Sequence, residues 1–224
     1  MIGKRLKKIR ATVDPRKVYS LAEAVALVKQ NAIAKFDETI EIAINLNIDA
    51  QKTDQNVRGI AQLPHGNGKV YRVAVFATGA QADEAVAAGA DLVGSDDLVE
   101  AIQRGELNFD RCVATPDMMA LVGRVAKILG PRGLMPSPKA GTVSANVAAA
   151  VTAVKGGQVE FRTEKGGIIH VGVGKASFDE QRLNENIQFL VACIQKERPA
   201  AAKGNFIKKM TLSSTMGAGV AFSL

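Results

Sequence analysis

Ten residues, Thr39-Ile-Glu-Ile-Ala-Ile-Asn-Leu-Asn-Ile48, set the strongest limit on what this chain can fold into. Ile40, Ile42, Ile44, Leu46 and Ile48 alternate with Thr39, Glu41, Ala43, Asn45 and Asn47. A period of two is the signature of a β-strand with one apolar and one polar face. A single strand and a helix cannot bury that apolar face, so further strands must come from elsewhere in the chain. Upstream, Ser20 and Glu23 form a capping box for a helix with the stripe Leu21, Val25 and Val28. Downstream, a polar loop over 49–59 and a short strand near Ile60–Leu63 end at Pro64-His-Gly-Asn-Gly-Lys69.

Beyond that break the pattern changes. Val70–Ala77, Ala90–Gly94 and Phe109–Ala114 read as compact apolar strands, separated by an alanine-rich helix closed by Gly89 and a helix opened by Ser95. Thr115, Pro116 and Asp117 suit the start of another helix, with Met118, Leu121, Val122, Val125 and Leu129 as its stripe and Gly130 as its stop. Val143-Ser144 begins a last helix through Val154. Strands alternating with helices predict a small parallel sheet covered on both faces. The first pattern returns after Lys155-Gly156-Gly157. Val159 and Phe161 alternate, residues 163–167 turn, and Ile169, Val171 and Val173 alternate back, which predicts a hairpin. Asp179 caps a helix with Leu183, Ile187, Leu190, Val191 and Ile194, and Phe206–Phe222 reads as a final extended segment.

The predicted fold class is therefore α/β. A discontinuous α+β domain, 1–66 with 157–224, carries an inserted three-layer, Rossmann-like α/β domain at 67–156. The two crossings, at Gly66 and Gly68 and at Gly156 and Gly157, read as a hinge.

A formal net charge of +7 and a pI near 9.5 favour a polyanionic partner, nucleic acid before membrane. The opening residues Lys4, Arg5, Lys7, Lys8 and Arg10 have no acid among them and read as a solvated arm able to grip phosphates. Residues 83–106 are acidic instead, a poor nucleic-acid surface. No apolar run is long enough for a bilayer, and the basic start lacks a secretory core. Cys112 and Cys193 have no metal-ligand spacing around them and read as buried thiols in a reducing cytoplasm. His65 and His170 form no metal pair, and no cofactor is expected. Gly66-Asn-Gly-Lys69 and Gly172-Val-Gly-Lys175 fall short of a phosphate-binding loop, and the strand before Gly79 lacks the three-glycine dinucleotide fingerprint. A nucleotide-binding enzyme and a protein-interaction module are the alternatives.

Two further stretches carry polar chemistry. Gly130-Pro-Arg-Gly-Leu-Met-Pro-Ser-Pro-Lys-Ala-Gly-Thr-Val143 is a proline-stiffened loop presenting Arg132 and Lys139. In the C-terminal segment Lys209, Thr211, Ser213 and Thr215 share a face, followed by Met216-Gly-Ala-Gly219. Hydroxyls, unobstructed amides and lysines are groups that recognise ribose hydroxyls and phosphates of folded RNA. If this strand lies beside Thr39 and Glu41, the two make one polar platform.

The proline-rich loop with Val113-Ala-Thr-Pro-Asp117, and Lys35-Phe-Asp-Glu-Thr-Ile-Glu41, Leu63-Pro-His-Gly66, Gly172–Phe178 and Ser213-Ser-Thr-Met-Gly217, closely resemble blocks of the bacterial large-subunit ribosomal protein L1 family, universal family uL1. Ser137 stands where Asn is common in that family. The resemblance, nearly end to end, implies a non-catalytic constituent of the large ribosomal subunit that binds the 23S ribosomal RNA stalk near the tRNA exit site. It implies assistance in releasing deacylated tRNA and repression of its own operon mRNA. It also implies a monomer off the ribosome, a cytoplasmic location, and no membrane partner. By the same resemblance, RNA contacts fall to Lys35, Phe36, Thr39, Glu41, Lys165, His170, Ser213, Thr215, Met216 and Gly217.

Overall fold

The alternating run becomes a strand, and its two unpaired edges determine the arrangement around it. The computed structural model describes residues 4–50, 52–200, 202 and 204–224. Residues 1–3 of the basic opening, Gln51 of the polar loop, and residues 201 and 203 before the last strands lie outside the described residues. In chain order the structure runs α1 (Lys4–Ala11), β1 (Tyr19–Ser20), α2 (Leu21–Asn31), β2 (Thr39–Leu46) and β3 (Arg58–Gln62). It continues with β4 (Val73–Phe76), α3 (Ala80–Ala87), β5 (Leu92–Gly94), α4 (Asp96–Gln103) and β6 (Arg111–Ala114). Next come α5 (Met119–Arg124), α6 (Ala126–Leu129), α7 (Val147–Lys155) and β7 (Gln158–Arg162). β8 (Ile168–Lys175), α8 (Glu180–Lys196), β9 (Ile207–Ser214) and β10 (Val220–Ser223) complete the chain. The architecture is mixed α/β. It divides into two units, Met1–Gly68 with Val159–Leu224, and Lys69–Gln158.

In the first unit β2 lies inside a five-stranded sheet of order β1-β10-β9-β2-β8. Both its neighbours run antiparallel, Ile42 facing Val171 on one side and Leu212 on the other. Ile40, Ile42, Ile44 and Leu46 are buried as their period requires, packing with the stripes of α2 and α8. The capping box of α2 is present: Glu23 N donates to Ser20 Oγ and Ser20 N to the Glu23 carboxylate.

Several sequence expectations fail here for identifiable reasons. β7 and β8 are not a hairpin. The turn between them has suitable chemistry, with Gly167 at φ 73°, yet β7 pairs with β3 and β8 with β2. The eight-residue β2 offers β8 a longer ladder than the five-residue β7, and leaving that edge open would strand buried amides and carbonyls. The final extended segment is two strands, β9 and β10, antiparallel around a turn at 215–219. The basic opening is helical in α1, which buries Ile9 and exposes its five cations.

The second unit holds a parallel sheet, β5-β4-β6. Ala74 and Phe76 of β4 face a core with α4, α5 and α6, while Val73 and Val75 face one with α3 and α7, making three layers. The first strand begins at Val73, with Val70 left 97% exposed. The helix expected over 115–129 is instead a 3₁₀ turn, α5 and α6, interrupted at Val125. Thr115 stands at the N-cap position but makes no side-chain capping bond; it is buried, its amide donating to Phe76 O. Gly130 keeps a helical φ, and Gly133 takes the left-handed conformation. Ser95 and Asp179 make no side-chain capping bond, and α7 starts at Val147, capped by Asn146 rather than Ser144. Asp91 accepts from Val73 N at 2.8 Å and pairs with Lys155 at 3.0 Å. The backbone bond, then the lysine, hold its carboxyl below its ordinary range.

Because Ile42 is fully buried under two neighbouring strands, Ile42→Ala should destabilise the protein by about 2–5 kcal/mol. Glu41→Gln, on the opposite face of the same strand, should change stability by no more than about 0.5 kcal/mol. Urea unfolding of both variants provides the check, and equal losses would mean that β2 does not separate a core face from a free one.

Candidate nucleic-acid interface

The face of the five-stranded sheet opposite the core is built in rows by strand register. Gly172, Glu41 and Ser213 form one row, and His170, Ala43, Thr211 and Ala221 the next. Glu41 and His170 are exposed, and the others are half-buried. Most of these side chains are small, so the surface is flat and edged with hydroxyls. Glu41 stands on β2 toward its Thr39 end and makes no ion pair among the described residues. The two polar segments expected to form one platform are thus adjacent strands, Glu41 opposite Ser213.

At the Thr39 end, three connections meet: residues 32–38, 175–179 and 215–219. Glu38, only 1% exposed, ties them together. Its carboxylate accepts from Ala34 N and from Met216 N, both at 2.9 Å, and its carbonyl accepts from Ala176 N at 2.8 Å. Burial pushes its pKa up, but the Met216 amide, the Ser214 hydroxyl, the Ala34 amide and the charge of Arg5 together outweigh burial, and the carboxyl lies below its ordinary value. Asp37 performs a similar task, accepting from Ser177 N at 3.1 Å and Ser177 Oγ at 2.8 Å. Lys175 Nζ donates to Thr39 Oγ1 at 3.0 Å.

With Glu38 buried and Asp37 bonded to Ser177, Lys35, Phe36 and Met216 project outward, Phe36 at 55% and Met216 at 45% exposure. The Thr215 hydroxyl is engaged within the protein: Thr39 N donates to it at 3.0 Å, and it donates to Thr39 O at 3.3 Å. Thr215 therefore closes β2 against the following turn, and a valine there would loosen the fold as well as any RNA contact. Gly217 approaches closely; a Cβ would meet Ser214 Oγ at 2.5 Å.

Sequence reasoning misses Asp37, Glu38 and Lys175. A signal for Glu38 exists, since extending the period of β2 back from Ile40 by two residues puts position 38 on the buried side. Of the residues that the sequence singles out, Lys35, Phe36, Thr39, Glu41, Ser213, Thr215, Met216 and Gly217 gather at this end, and His170 lies on the edge strand β8, opposite Ala43. Lys165 is separate. It sits on the turn before β8, beyond the Leu46 end of β2, roughly 20 Å away at about 3.3 Å per strand residue.

Charge follows the same division. Unit one has twenty Lys and Arg against thirteen Asp and Glu; unit two has nine against nine, so the whole net charge of +7 belongs to the first. Five of those cations lie on α1, which joins Gly217–Gly219 in lining a cavity of about 440 Å³ with Leu6 and Arg10. Arg132 and Lys139 are exposed on a loop of unit two, held by Thr142 Oγ1 accepting from Ser137 N at 2.9 Å.

Of the four crossing glycines, Gly66, Gly68 and Gly157 have positive φ, while Gly156 caps α7 at φ −71°. Gly66 and Gly68 are anchored within the first unit. The buried Asn186 donates to Gly66 O at 2.9 Å, and a Cβ on Gly68 would meet Lys175 Cγ at 2.6 Å. His65 bonds Glu185, and among the described residues no group of three or more His, Cys, Asp or Glu could hold a metal. Cys112 is buried and its thiol pKa is pushed up by that burial. No helix among the described residues is long and apolar enough to cross a membrane.

A family model described as ribosomal protein L1p/L10e matches residues 28–218, most of the chain. The chain belongs to that family. It is a family of structural ribosomal proteins rather than enzymes, so the chain's role is that of a ribosomal protein and its place is the ribosome. The matched span includes β2, the Glu38 clamp, the inserted unit and the turn after β9, while α1 precedes it.

The clamp predicts a pH signature. A carboxyl with a lowered folded pKa stabilises the fold above the unfolded pKa, and that contribution disappears as pH falls through the folded value. Glu38→Gln should cost about 1.5–3 kcal/mol at pH 7, the scale of hydrogen bonds to a charged group. The gap from wild type should narrow at an acidic pH well below the ordinary carboxylate range, as the native carboxyl takes up its proton too. Urea midpoints at both pH values decide it, and a gap that ignores pH would show that the charge of Glu38 plays no part.

Proposed function

We propose that the first unit holds structured RNA of the large ribosomal subunit, the 23S stalk beside the tRNA exit site, across the open face of its five-stranded sheet. The single observation that carries this reading is the pairing of exposed Phe36 and Met216 with Lys35 at one end of a flat, hydroxyl-bearing face, in the unit that holds all the net positive charge. Splayed bases stack on aromatic and thioether surfaces, and the rim cations take phosphates. Thr39, Ser213 and the Gly217 backbone meet the ribose edge, with Thr215 keeping that backbone in place. His170 and Lys165 extend the interface along β8.

Glu41 has a distinct part. A carboxylate on the face, flanked by β8 and β9, repels phosphates, so the RNA backbone runs along the rims. The acid then accepts from a ribose 2′-hydroxyl or a guanine amino group. Because a messenger that folds into the same shape presents the same groups, this surface also serves to repress the protein's own operon mRNA. Holding a stalk beside the exit site links the protein to departing deacylated tRNA, as a monomer when off the ribosome and within the cytoplasm.

Phe36→Ala should weaken binding to stalk RNA by about five- to a hundredfold, since base–aromatic stacking is worth about 1–3 kcal/mol. Binding of a scrambled RNA should hardly change, and the melting temperature should stay put because the side chain is exposed. Replacing Lys4, Arg5, Lys7 and Lys8 by alanine should instead flatten the log–log salt dependence by about 0.7–0.9 for each phosphate no longer neutralised. Filter-binding titrations over a salt series test both. Weakening of the two RNAs in equal measure on Phe36→Ala would refute a base-reading role for this end of the sheet.

A further inference from the structure

β5 is one margin of the parallel sheet in the second unit, and among the described residues no strand lies beyond it. It runs alongside β4, with Ala74 beside Leu92, Val75 beside Val93 and Phe76 beside Gly94. In a parallel ladder one residue turns both its N–H and its C=O toward a given neighbour, and the next turns both away. Asp91 N donates to Val73 O at 3.0 Å, on the β4 side. By that alternation Val93 also bonds β4, whereas Leu92 and Gly94 present their backbone groups outward. Among the described residues neither has a backbone partner on that side.

A helix flanks this open edge on each face of the sheet. On α3, Gln81 Nε2 donates to Ala145 O at 3.4 Å, just ahead of α7. At about 100° per residue, Asp83 and Val86 fall on the side of α3 away from that bond. On α4, Arg124 of α5 draws Asp96 to 3.5 Å, and Asp97 lies about 100° further round, away from α5. Leu92 and Val86 remain 37% and 61% exposed. Neither helix has a cation, and Asp83, Glu84, Asp97 and Glu100 are exposed with no ion pair among the described residues. The cations next to them are already used, Lys155 by Asp91 and Arg104 by Glu106. Natural sheets guard a free edge with lysine, proline or a bulge; β5 has neither residue, and its register with β4 is unbroken.

We propose that β5 accepts an extended, lysine- or arginine-bearing segment of a partner protein as an added strand, a role separate from the function proposed above. The outward N–H and C=O groups of Leu92 and Gly94 supply the backbone hydrogen bonds. Leu92 on one face and Val86 on the other take apolar side chains, while Asp83 and Asp97 take the cations. Charge selects the occupant. A second copy of the chain would bring its own unpaired acids against these, and an RNA its phosphates, so the partner that fits is a basic strand. With only three residues of edge to pair, the contact is a weak and reversible one.

The test titrates the isotope-labelled full chain with three short synthetic peptides and follows backbone amides by NMR. One peptide alternates lysine with valine, one has glutamate for each lysine, and one keeps the lysines but has proline for each valine. The lysine–valine peptide should shift the Leu92 and Gly94 amides and slow their hydrogen exchange, and the other two should leave them unchanged. Asp83→Asn/Asp97→Asn should bind it about tenfold more weakly, the scale of two exposed ion pairs, at an unaltered melting temperature. Equal binding of the proline peptide would mean a contact of charge alone, without strand pairing, and would overturn the proposal. So would a lysine–valine peptide that leaves these two amides unmoved. Protection of both amides in the free protein, together with a dimer in sedimentation, would give the edge to a second copy; protection by stalk RNA alone would give it to RNA. Either result also overturns the proposal, and none of them bears on RNA binding by the first unit's sheet.

Discussion

The structure depends on the need to satisfy both edges of β2. An eight-residue strand with one apolar face carries a row of backbone donors and acceptors on each side, and in the interior of a sheet none can be left to water. Among the described residues of the first 68, none supplies a matching partner: β1 is two residues long and β3 lies in another sheet. The partners are β8 and β9, both from beyond residue 158. The inserted unit is therefore bracketed by a domain that is incomplete until the chain returns. Long-range pairing of this sort is slow to form, because loop closure costs entropy before the ladder can offset it.

That central position of β2 is also why a binding face exists. Its core side is matched by Val171 and Leu212 and covered by α2 and α8. Its other side receives what β8 and β9 present: Lys175 opposite Thr39, Gly172 and Ser213 opposite Glu41, and His170 and Thr211 opposite Ala43. The flatness follows from these small residues, and the hydroxyls follow from β9. Most of the charge needed for a polyanion sits around this surface, on α1 and on the turns, with Lys175 and Lys209 at the two ends of the face itself. Such a division suits a ligand whose bases and sugars are to be read and whose phosphates are to be held at the periphery.

The alternation of β2, the return of the alternating pattern and the three-layer middle are legible in the sequence, because each is a local repeat of side-chain type. Most of the candidate residues are legible too, through their resemblance to family blocks rather than through periodicity. Partner choice is hidden. The turn at 163–167 has everything a hairpin needs, and only the competition from β2 sends β7 elsewhere. Glu38 is hidden for a different reason. In a string such as Lys35-Phe-Asp-Glu-Thr39 an acid reads as solvated, and its inward path shows only when the period of β2 is carried past the strand's end. Thr115 and Val125 mislead because cap and stripe signals do not reveal a buried threonine or a break inside a short helix.

Glu38 and Asp37 change the meaning of the acids in the candidate interface. Beside a polyanion, two uncommitted carboxylates in a five-residue string would be a liability. Glu38 is buried and Asp37, though exposed, is bonded to Ser177; between them they use their charge on the amides of Ala34 and Met216 and on Ser177, drawing three loops into one fixed arrangement. Each loop so fixed loses its conformational freedom during folding rather than at binding, so less of the interaction free energy goes into ordering when a ligand arrives. The same bonds determine which side chains are left to project, and those are Lys35, Phe36 and Met216. An exposed aromatic on a free loop would sample many directions. On a loop pinned at Glu38 it has a defined place, and that converts three ordinary surface residues into a surface with shape.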